Sequence, residues 1–181
     1  MTDLIGRYGC ISLPGILPRA ISAATGHWAN HCFLVLPGGM LAESWVPYVH
    51  VRPLSDFAGC KIEYNVDDPM TTGQRKSVVA YALARVKDHT GYDYAHFAGL
   101  GLLHLLHLDV LPYVPLSGRT AICSRLVAQA AHAAGLDWTG GLPAHRITPA
   151  TLARRIEDAQ DRREHARLRA APGSAPDTLS A

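Results

Sequence analysis

Cys123 is the residue whose position is most suited to chemistry. It opens a stretch in which apolar residues recur every three or four positions, namely Ile122, Leu126, Val127, Ala130 and Ala134. This period predicts the buried face of a helix that ends before Gly135. In the first turn of such a helix, backbone N–H groups and the positive end of the dipole favour a thiolate and an oxyanion. The position therefore suits a nucleophile of acyl transfer, whereas the ordinary alternative is a small core residue.

A histidine and a glutamate occupy a predicted β-hairpin near the N-terminus. Two apolar runs, 32–36 and 40–46, flank a Pro-Gly-Gly turn. His31 begins the first predicted strand and Glu43 lies in the second, where an antiparallel pair can make them cross-strand neighbours. Nucleophilic cysteine, basic histidine and an orienting carboxylate are the groups of thiol hydrolases. We hypothesise that Cys123 is the nucleophile, His31 its general base and then acid, and Glu43 the orienting residue.

Two other histidines leave alternatives open around this hairpin. His27 precedes His31 by four residues, and such a pair binds a metal when both lie on one helix face. Gly26 and the strand that follows argue against a continuous helix, so we expect no metal, and His27 is predicted to be a loop or rim residue. His50 lies in the next predicted strand, either as an alternative third member of the site or as a solvent-facing histidine.

The elements that must position these residues follow from periodicity. The sequence predicts an extended segment around Leu4-Ile5, a short helix near residues 19–24, strands over 48–52 and 60–64, and helices over about 71–89 and from Pro149. The helix over 71–89 is expected to bury Val78, Val79, Ala82, Leu83 and Val86.

The order of these motifs resembles the circularly permuted branch of the NlpC/P60 papain-like cysteine hydrolases. A histidine precedes a strand and a glutamate, and a Cys-Ser-x-Leu-Val segment opens a helix late in the chain. The flanks agree as well: Asp3-Leu4-Ile5, Gly91-Tyr92-Asp93-Tyr94 and residues 147–152. The resemblance covers roughly residues 1–157 and favours His31 over His27, because the family places its histidine immediately before the apolar strand.

The resemblance implies an α+β, permuted papain-like fold, in which helices pack on a small antiparallel sheet and the nucleophile lies at a helix N-terminus. It implies cleavage of an amide through a thioester, most often in a cell-wall (peptidoglycan) peptide, without a cofactor. Permuted relatives also act on acyl groups, so a lipid amide or ester hydrolase or an acyltransferase stays open. The Leu-rich segment over residues 97–111 is expected to form a buried helix or an apolar wall of the cleft.

Two residues bear on the substrate. The resemblance makes Tyr92 a candidate for lining the pocket or assisting the oxyanion, although a tyrosine packed at a helix cap fits its position equally. Arg125 stands where relatives commonly carry a small or acidic residue, which puts the substrate assignment in question.

The rival class of function is a non-catalytic papain-like module in an assembly such as a phage particle.

Length and composition predict one domain with a tail. The 181 residues, of which 48% are hydrophobic and 18% charged, suffice for one core over residues 1–157. Residues 158–181 are expected to be a charged helix end and a disordered tail. A net charge of +2 gives no case for nucleic acid as a partner. The partner expected is a peptide or acyl substrate.

Compartment and redox state are also expectations from the sequence. The N-terminus lacks the pattern of a secretory signal, and the apolar run over 97–111 is shorter than a membrane span. A protein that begins in the cytoplasm would reach the cell wall through a holin, a virion or another partner. The four cysteines lack paired Cys-x-x-Cys spacing, so reduced thiols are expected.

Overall fold

The computed structural model describes residues 2–92 and 120–170, which form a mixed α+β fold. The strands are β1 (Tyr8–Ile11), β2 (His31–Val35), β3 (Met40–Trp45), β4 (Tyr48–Pro53), β5 (Ile62–Tyr64), β6 (Gly91–Tyr92) and β7 (Thr120–Ala121). The α-helices are α1 (Ile16–Thr25), α2 (Thr72–Lys87), α3 (Cys123–Ala133) and α4 (Pro149–Ala170). The mixed fold class and the β2–β3 hairpin agree with the sequence-based predictions.

The strands form one sheet in the order β5-β1-β2-β3-β4-β6-β7. The first five strands in this order pair antiparallel throughout, and β4 continues antiparallel to β6. The expected antiparallel sheet is therefore confirmed for the five main strands. It differs at one edge, where the short strands β6 and β7 run parallel, with Gly91 opposite Thr120 and Tyr92 opposite Ala121.

The central strand β2 is buried along its whole length because both faces of the sheet are covered. Successive side chains point to opposite faces, so β2 contributes to two apolar clusters. Cys32 and Leu34 belong to the helix-side core, which contains residues of the sheet and of α2, α3 and α4. Phe33 and Val35 belong to the outer core, a smaller cluster that also contains Phe57. His31 is the first residue of this doubly covered strand.

Helix α3 packs against β2 and β3 and is bordered by α2 and α4. It ends with Gly135 in the left-handed conformation, at φ 65°. The Leu136 N–H donates to the Ala131 carbonyl at 2.9 Å, and the Gly135 N–H donates to the His132 carbonyl at 3.1 Å. These two bonds form a Schellman motif, which confirms the predicted helix end.

Two predictions of local structure are wrong. The extended segment expected at Leu4-Ile5 is a 3-10 turn over Thr2–Leu4, and the first strand begins at Tyr8. Gly9 weakens the strand signal there, and it is required because a Cβ atom at this position would lie 2.6 Å from Cζ of Phe33. In α2, Val78 and Ala82 are buried as expected, but Leu83 is 46% exposed.

Helix α4 begins as the sequence predicts and forms the charged helix end. The Thr148 hydroxyl accepts a hydrogen bond from the Thr151 N–H at 3.1 Å, so Thr148 is the N-cap and Pro149 the first helical residue. Residues 160–170 of this helix are exposed. The predicted tail over 171–181 and the Leu-rich segment over 97–111 lie outside the described residues. Among the helices described, none is long and apolar enough to cross a membrane.

Candidate active site

Cys123 is the first residue of α3, as the sequence predicts, and is 7% exposed. The preceding residue, Ile122, is extended, so the chain turns sharply from strand β7 into the helix. The first hydrogen bond of the helix runs from the Leu126 N–H to the Ile122 carbonyl at 2.9 Å. The N–H groups of the first turn have no carbonyl within the helix to bind. Cys123 therefore lies where the backbone stabilises a negative charge.

Ser124, the residue after Cys123, fixes this turn. Ser124 is fully buried, and its hydroxyl donates to the Ile147 carbonyl at 2.5 Å. The bond joins the first turn of α3 to the segment just before α4. Ser124 was not among the predicted site residues, although a serine within a buried helical face signals a hydrogen bond to backbone.

His31 and Glu43 form a buried pair. The His31 Nε2 lies 2.5 Å from Oε2 of Glu43, and the two side chains are 2% and 0% exposed. The β2–β3 register pairs Leu34 with Ala42 and Val35 with Leu41. Extending this register places Glu43 diagonally from His31 on the same face, within reach of long side chains. The expected neighbourhood of these two residues is present.

The same imidazole reaches Cys123. Since Nε2 is engaged by Glu43, Nδ1 is the ring nitrogen left for the hydrogen bond that His31 makes with Cys123. The ring is also held edge-on against the Trp45 indole, with centroids 5.1 Å apart and an interplanar angle of 85°. The structure thus brings together the three residues predicted to be catalytic.

Glu43 has two further partners, both from β4. Its Oε1 lies 3.2 Å from Nε2 of His50 and 3.2 Å from an Arg52 guanidinium nitrogen. Burial alone raises the pKa of a carboxyl, but the hydrogen bond and charge of His31, together with Arg52 and His50, lower the pKa of Glu43 below its ordinary value. The carboxylate is therefore ionised although it is inaccessible to water.

Arg52 is itself held in place. Its Nε donates to Oδ2 of Asp56 at 3.2 Å, and its guanidinium lies 4.9 Å from the centre of the Phe57 ring. Arg52 was not among the predicted site residues, although it alternates with His50 along β4 and so shares the face that Glu43 occupies. His50 supports Glu43 and does not replace it, and its Nδ1 lies 3.1 Å from the Tyr48 carbonyl oxygen.

The electrostatics of Cys123 and His31 favour a thiolate on the cysteine and an imidazolium on the histidine. A hydrogen bond from the Cys32 thiol lowers the pKa of Cys123, burial opposes this, and the charge and hydrogen bond of His31 add to it, so the thiol pKa lies well below its ordinary value. Burial lowers the pKa of His31, but the Cys123 thiolate and the Glu43 carboxylate outweigh it and raise that pKa to about 9. At neutral pH the proton accordingly resides on His31.

Cys32 is in direct contact with Cys123. Its S–H and its backbone N–H both donate hydrogen bonds to the Cys123 sulfur. Burial, followed by the interaction with Cys123, raises the pKa of the Cys32 thiol well above its ordinary value, so this thiol keeps its proton. In the sequence Cys32 reads as an apolar strand residue, and no local signal indicates its contact with Cys123.

His27 belongs to a separate cluster near the surface. Its Nε2 lies 3.2 Å from Oε2 of Glu157, and its Nδ1 accepts the Ala29 N–H at 3.2 Å. The Trp28 indole N–H donates to the other oxygen of Glu157 at 2.7 Å. Helix α1 ends before Gly26, so His27 and His31 do not share a helix face. Each histidine has its own carboxylate partner.

The backbone of Tyr92 lies beside the segment that leads to Cys123. Tyr92 pairs with Ala121, two residues before Cys123, through the parallel β6–β7 bridge. The structure does not describe its side chain, so the assignment of Tyr92 to the pocket or oxyanion stays a prediction. Asp93 and Tyr94 lie outside the described residues.

The described parts of the chain, residues 2–92 and 120–170, contain no cluster of three or more His, Cys, Asp or Glu side chains able to hold a metal ion. No family model matches this chain, and a search of curated proteins finds no match. The arrangement of Cys123, His31 and Glu43 is therefore interpreted from its own geometry.

Proposed function

We propose that this protein is a thiol hydrolase that cleaves an amide bond through an acyl-enzyme thioester. The observation that carries the proposal is the position of His31, buried between the Glu43 carboxylate and the Cys123 sulfur at the start of α3. Such a nucleophile, base and orienting group constitute the machinery of thiol acyl transfer. The order histidine, glutamate, cysteine supports a papain-like fold in permuted order, as the sequence resemblance implies.

The first half of the reaction forms the thioester. The Cys123 thiolate attacks the carbonyl carbon of the amide, a C–S bond forms, and the carbonyl oxygen takes the negative charge. The Cys123 backbone N–H at the helix start would donate to this oxyanion. His31, as the imidazolium, then donates its proton to the leaving nitrogen as the C–N bond breaks and the amine departs.

The second half releases the acid. His31, now neutral, removes a proton from a water molecule, whose oxygen attacks the thioester carbonyl. The C–S bond breaks, and the thiolate and imidazolium are restored as the carboxylic acid product leaves. Throughout the cycle, Glu43 holds the imidazole by Nε2 and stabilises its charged form.

We assign the substrate class as an acyl group in amide linkage, with a cell-wall peptide as the leading candidate from the sequence resemblance. A lipid amide or ester stays the alternative substrate, because permuted relatives also act on acyl groups. The Leu-rich segment over 97–111, which is its second ground, lies outside the described residues. Arg125, buried in α3 two residues after the nucleophile, is the departure from the family pattern that a substrate panel must address.

The test is the pH dependence of iodoacetamide alkylation, measured cysteine by cysteine with peptide mass spectrometry. Cys123 should be alkylated well below the free-thiol pKa of about 8.5, and His31→Ala should abolish this low-pH reactivity. His27→Ala is the matched control, since it removes a nearby histidine that does not contact Cys123, and it should leave the profile unchanged.

The outcome against the proposal is equally specific. If Cys123 reacts no faster at low pH than Cys10, Cys32 and Cys60, it is a structural cysteine, and the protein is a papain-like module without catalysis. An activated Cys123 leads to a panel of peptidoglycan peptides, N-acyl lipids and acyl esters, with Cys123→Ala as the inactive control.

A further inference from the structure

The nucleophile has a second thiol as its direct neighbour. Both the S–H and the backbone N–H of Cys32 donate to the Cys123 sulfur, so the start of α3 rests on the beginning of β2. Both residues belong to the helix-side core, and both are free thiols. We propose that Cys32 and Cys123 are a redox-modification site, in which a peroxide converts the two neighbouring thiols into a reversible disulfide.

The first step oxidises the nucleophile. The Cys123 thiolate attacks one oxygen of the peroxide, an S–O bond forms, and the O–O bond breaks. Sulfur is oxidised to a sulfenic acid, and the peroxide is reduced to a hydroxide, which takes a proton from the imidazolium of His31 and leaves as water. Thiolate character selects Cys123 for this step, because the thiolate is the reactive form towards peroxide.

The second step closes the disulfide. The Cys32 sulfur attacks the Cys123 sulfur, an S–S bond forms, and the S–O bond breaks. The departing hydroxide takes the thiol proton of Cys32 and leaves as a second water. In total, two thiols and one hydrogen peroxide give one disulfide and two waters. Condensation of a sulfenic acid with a neighbouring thiol is the usual fate when such a thiol is in contact.

The arrangement selects Cys32 among the other thiols. Cys10 lies opposite Cys32 in the β1–β2 register, but its sulfur is directed to the Pro149 carbonyl at 3.8 Å. Burial raises the pKa of Cys10 well above its ordinary value, so it is not the thiol that a peroxide attacks. Cys60 packs against the outer core, on the other face of the sheet. Cys32 is therefore the resolving thiol.

The inference rests on the activated Cys123 of the proposed function, and it adds a regulation of that site. A disulfide removes the thiolate needed for attack on a carbonyl, and a thiol reductant restores it. Without Cys32, the sulfenic acid would proceed to sulfinic acid, which thiol reductants do not reverse. The pair thus switches the site off and protects it from permanent oxidation.

The experiment treats the full chain with hydrogen peroxide, blocks free thiols with iodoacetamide and maps tryptic peptides without reduction. Cys123 lies in the peptide 120–125, and Cys32 lies in the peptide 20–61 because trypsin does not cut the Arg52-Pro53 bond. Cys60 shares that second peptide, so a Cys60→Ala chain is used to make the assignment unique.

The expected product in the Cys60→Ala chain is peptide 120–125 linked to peptide 20–61, with the loss of two hydrogens. A thiol reductant should then restore alkylation of Cys123 completely. Adding Cys32→Ala should abolish the link and give sulfinic acid at Cys123 with no recovery. Adding Cys10→Ala is the matched control, because it removes a buried thiol beside Cys32 and should leave the link intact.

Two results would overturn the inference. One is a link from peptide 20–61 to peptide 8–19, which contains Cys10. The other is sulfinic acid at Cys123 with Cys32 present, at the same rate as in Cys32→Ala. Either result with normal low-pH alkylation of Cys123 rejects this inference alone, whereas loss of that alkylation rejects the proposed function. The linked peptide is measured in a chain that retains Cys32. The inference can therefore be tested even if Cys32→Ala fails to fold.

Discussion

Two histidines that are four residues apart in the sequence, His27 and His31, each pair with a carboxylate, and the two pairs differ in what they can do. His31 and Glu43 are 2.5 Å apart and almost completely buried. His27 and Glu157 are 3.2 Å apart, and the Glu157 side chain is 38% exposed. The second ring nitrogen separates them further: in His27 it accepts a backbone N–H, and in His31 it is left for Cys123. The same residue types thus give a structural tie in one place and a candidate base in the other.

The other partners of each carboxylate decide its role. Glu157 accepts the Trp28 indole N–H on its second oxygen, which joins α4 to the loop before β2. The second oxygen of Glu43 instead contacts His50 and Arg52. These two partners stabilise the negative charge of the carboxylate, which water does not reach. A charge held by fixed partners in a buried site acts on its neighbours more strongly than one exposed to solvent.

The largest expected difference between the two pairs is in turnover when each carboxylate is replaced. We expect Glu43→Gln to lower turnover of any accepted substrate on the order of 10³- to 10⁴-fold, because the imidazolium loses its charged, orienting partner. Glu157→Gln should change turnover by less than about twofold, since its pair is partly exposed. Steady-state kinetics on both variants measure this contrast. Equal losses would mean that the burial of Glu43 confers no catalytic advantage.

The pKa of His31 should respond to the loss of Glu43 and not to the loss of Glu157. NMR titration of the wild type should give a pKa of about 9 for His31, because the Cys123 thiolate and Glu43 stabilise its charged form. Glu43→Gln should lower this value towards about 6.5, Cys123→Ala should lower it further, and Glu157→Gln should leave it unchanged. Since the folded-state pKa is raised, the stabilisation by His31 is complete below about 6.5 and is lost as pH rises through about 9. A value near 6.5 in the wild type would contradict the ion pair.

Loss of Arg52 should weaken the buried carboxylate. We expect Arg52→Gln to lower the free energy of unfolding by about 1 to 2 kcal/mol, because a buried acceptor loses a charged donor while His31 and His50 remain. The Arg52 side chain is 35% exposed, so solvent moderates the loss. Urea unfolding at pH 7 measures it, with Arg154→Gln as the control, an exposed arginine that donates to the Thr25 carbonyl. Similar losses in both variants would assign no special role to Arg52.

The smallest effect is expected in the partly exposed pair of His27 and Glu157. Trp28→Phe keeps the aromatic ring but removes the 2.7 Å bond to Glu157, so we expect about 0.5 to 1 kcal/mol lower stability. Alkylation of Cys123 at low pH should not change. If that reactivity falls together with stability, the His27 cluster positions His31, and the separation between the two pairs is weaker than their contacts indicate.

Much of the site could be predicted from the sequence because its members lie at the ends of strongly patterned elements. Cys123 starts an apolar-periodic helix, and His31 starts an apolar strand followed by a clear turn. Residues Ser124, Arg52 and Cys32 were missed because their partners are distant in sequence or on another strand. Ser124 meets a carbonyl 23 positions away, and no local pattern encodes that contact.

The misplaced elements have a similar physical cause. Strand β1 contains Gly9, which a propensity reading disfavours, yet close packing of the Phe33 ring requires it. Leu83 fits the apolar period of α2 but is 46% exposed, whereas its neighbour Ala82 is fully buried and Val86 packs against the core. The apolar period thus predicts which side of the helix faces the core. Tertiary packing decides which residues on that side are buried.

The positions of the site residues along the chain also determine the order in which the site assembles. His31, Glu43, His50 and Arg52 come from consecutive antiparallel strands joined by short turns, so their contacts require little loop closure. Cys123 meets them only after a much longer stretch of chain has been synthesised. We expect the strands to form first and α3 to dock later. During synthesis the histidine and its carboxylate would therefore be paired before the cysteine arrives, and the thiol would become reactive only when folding is complete.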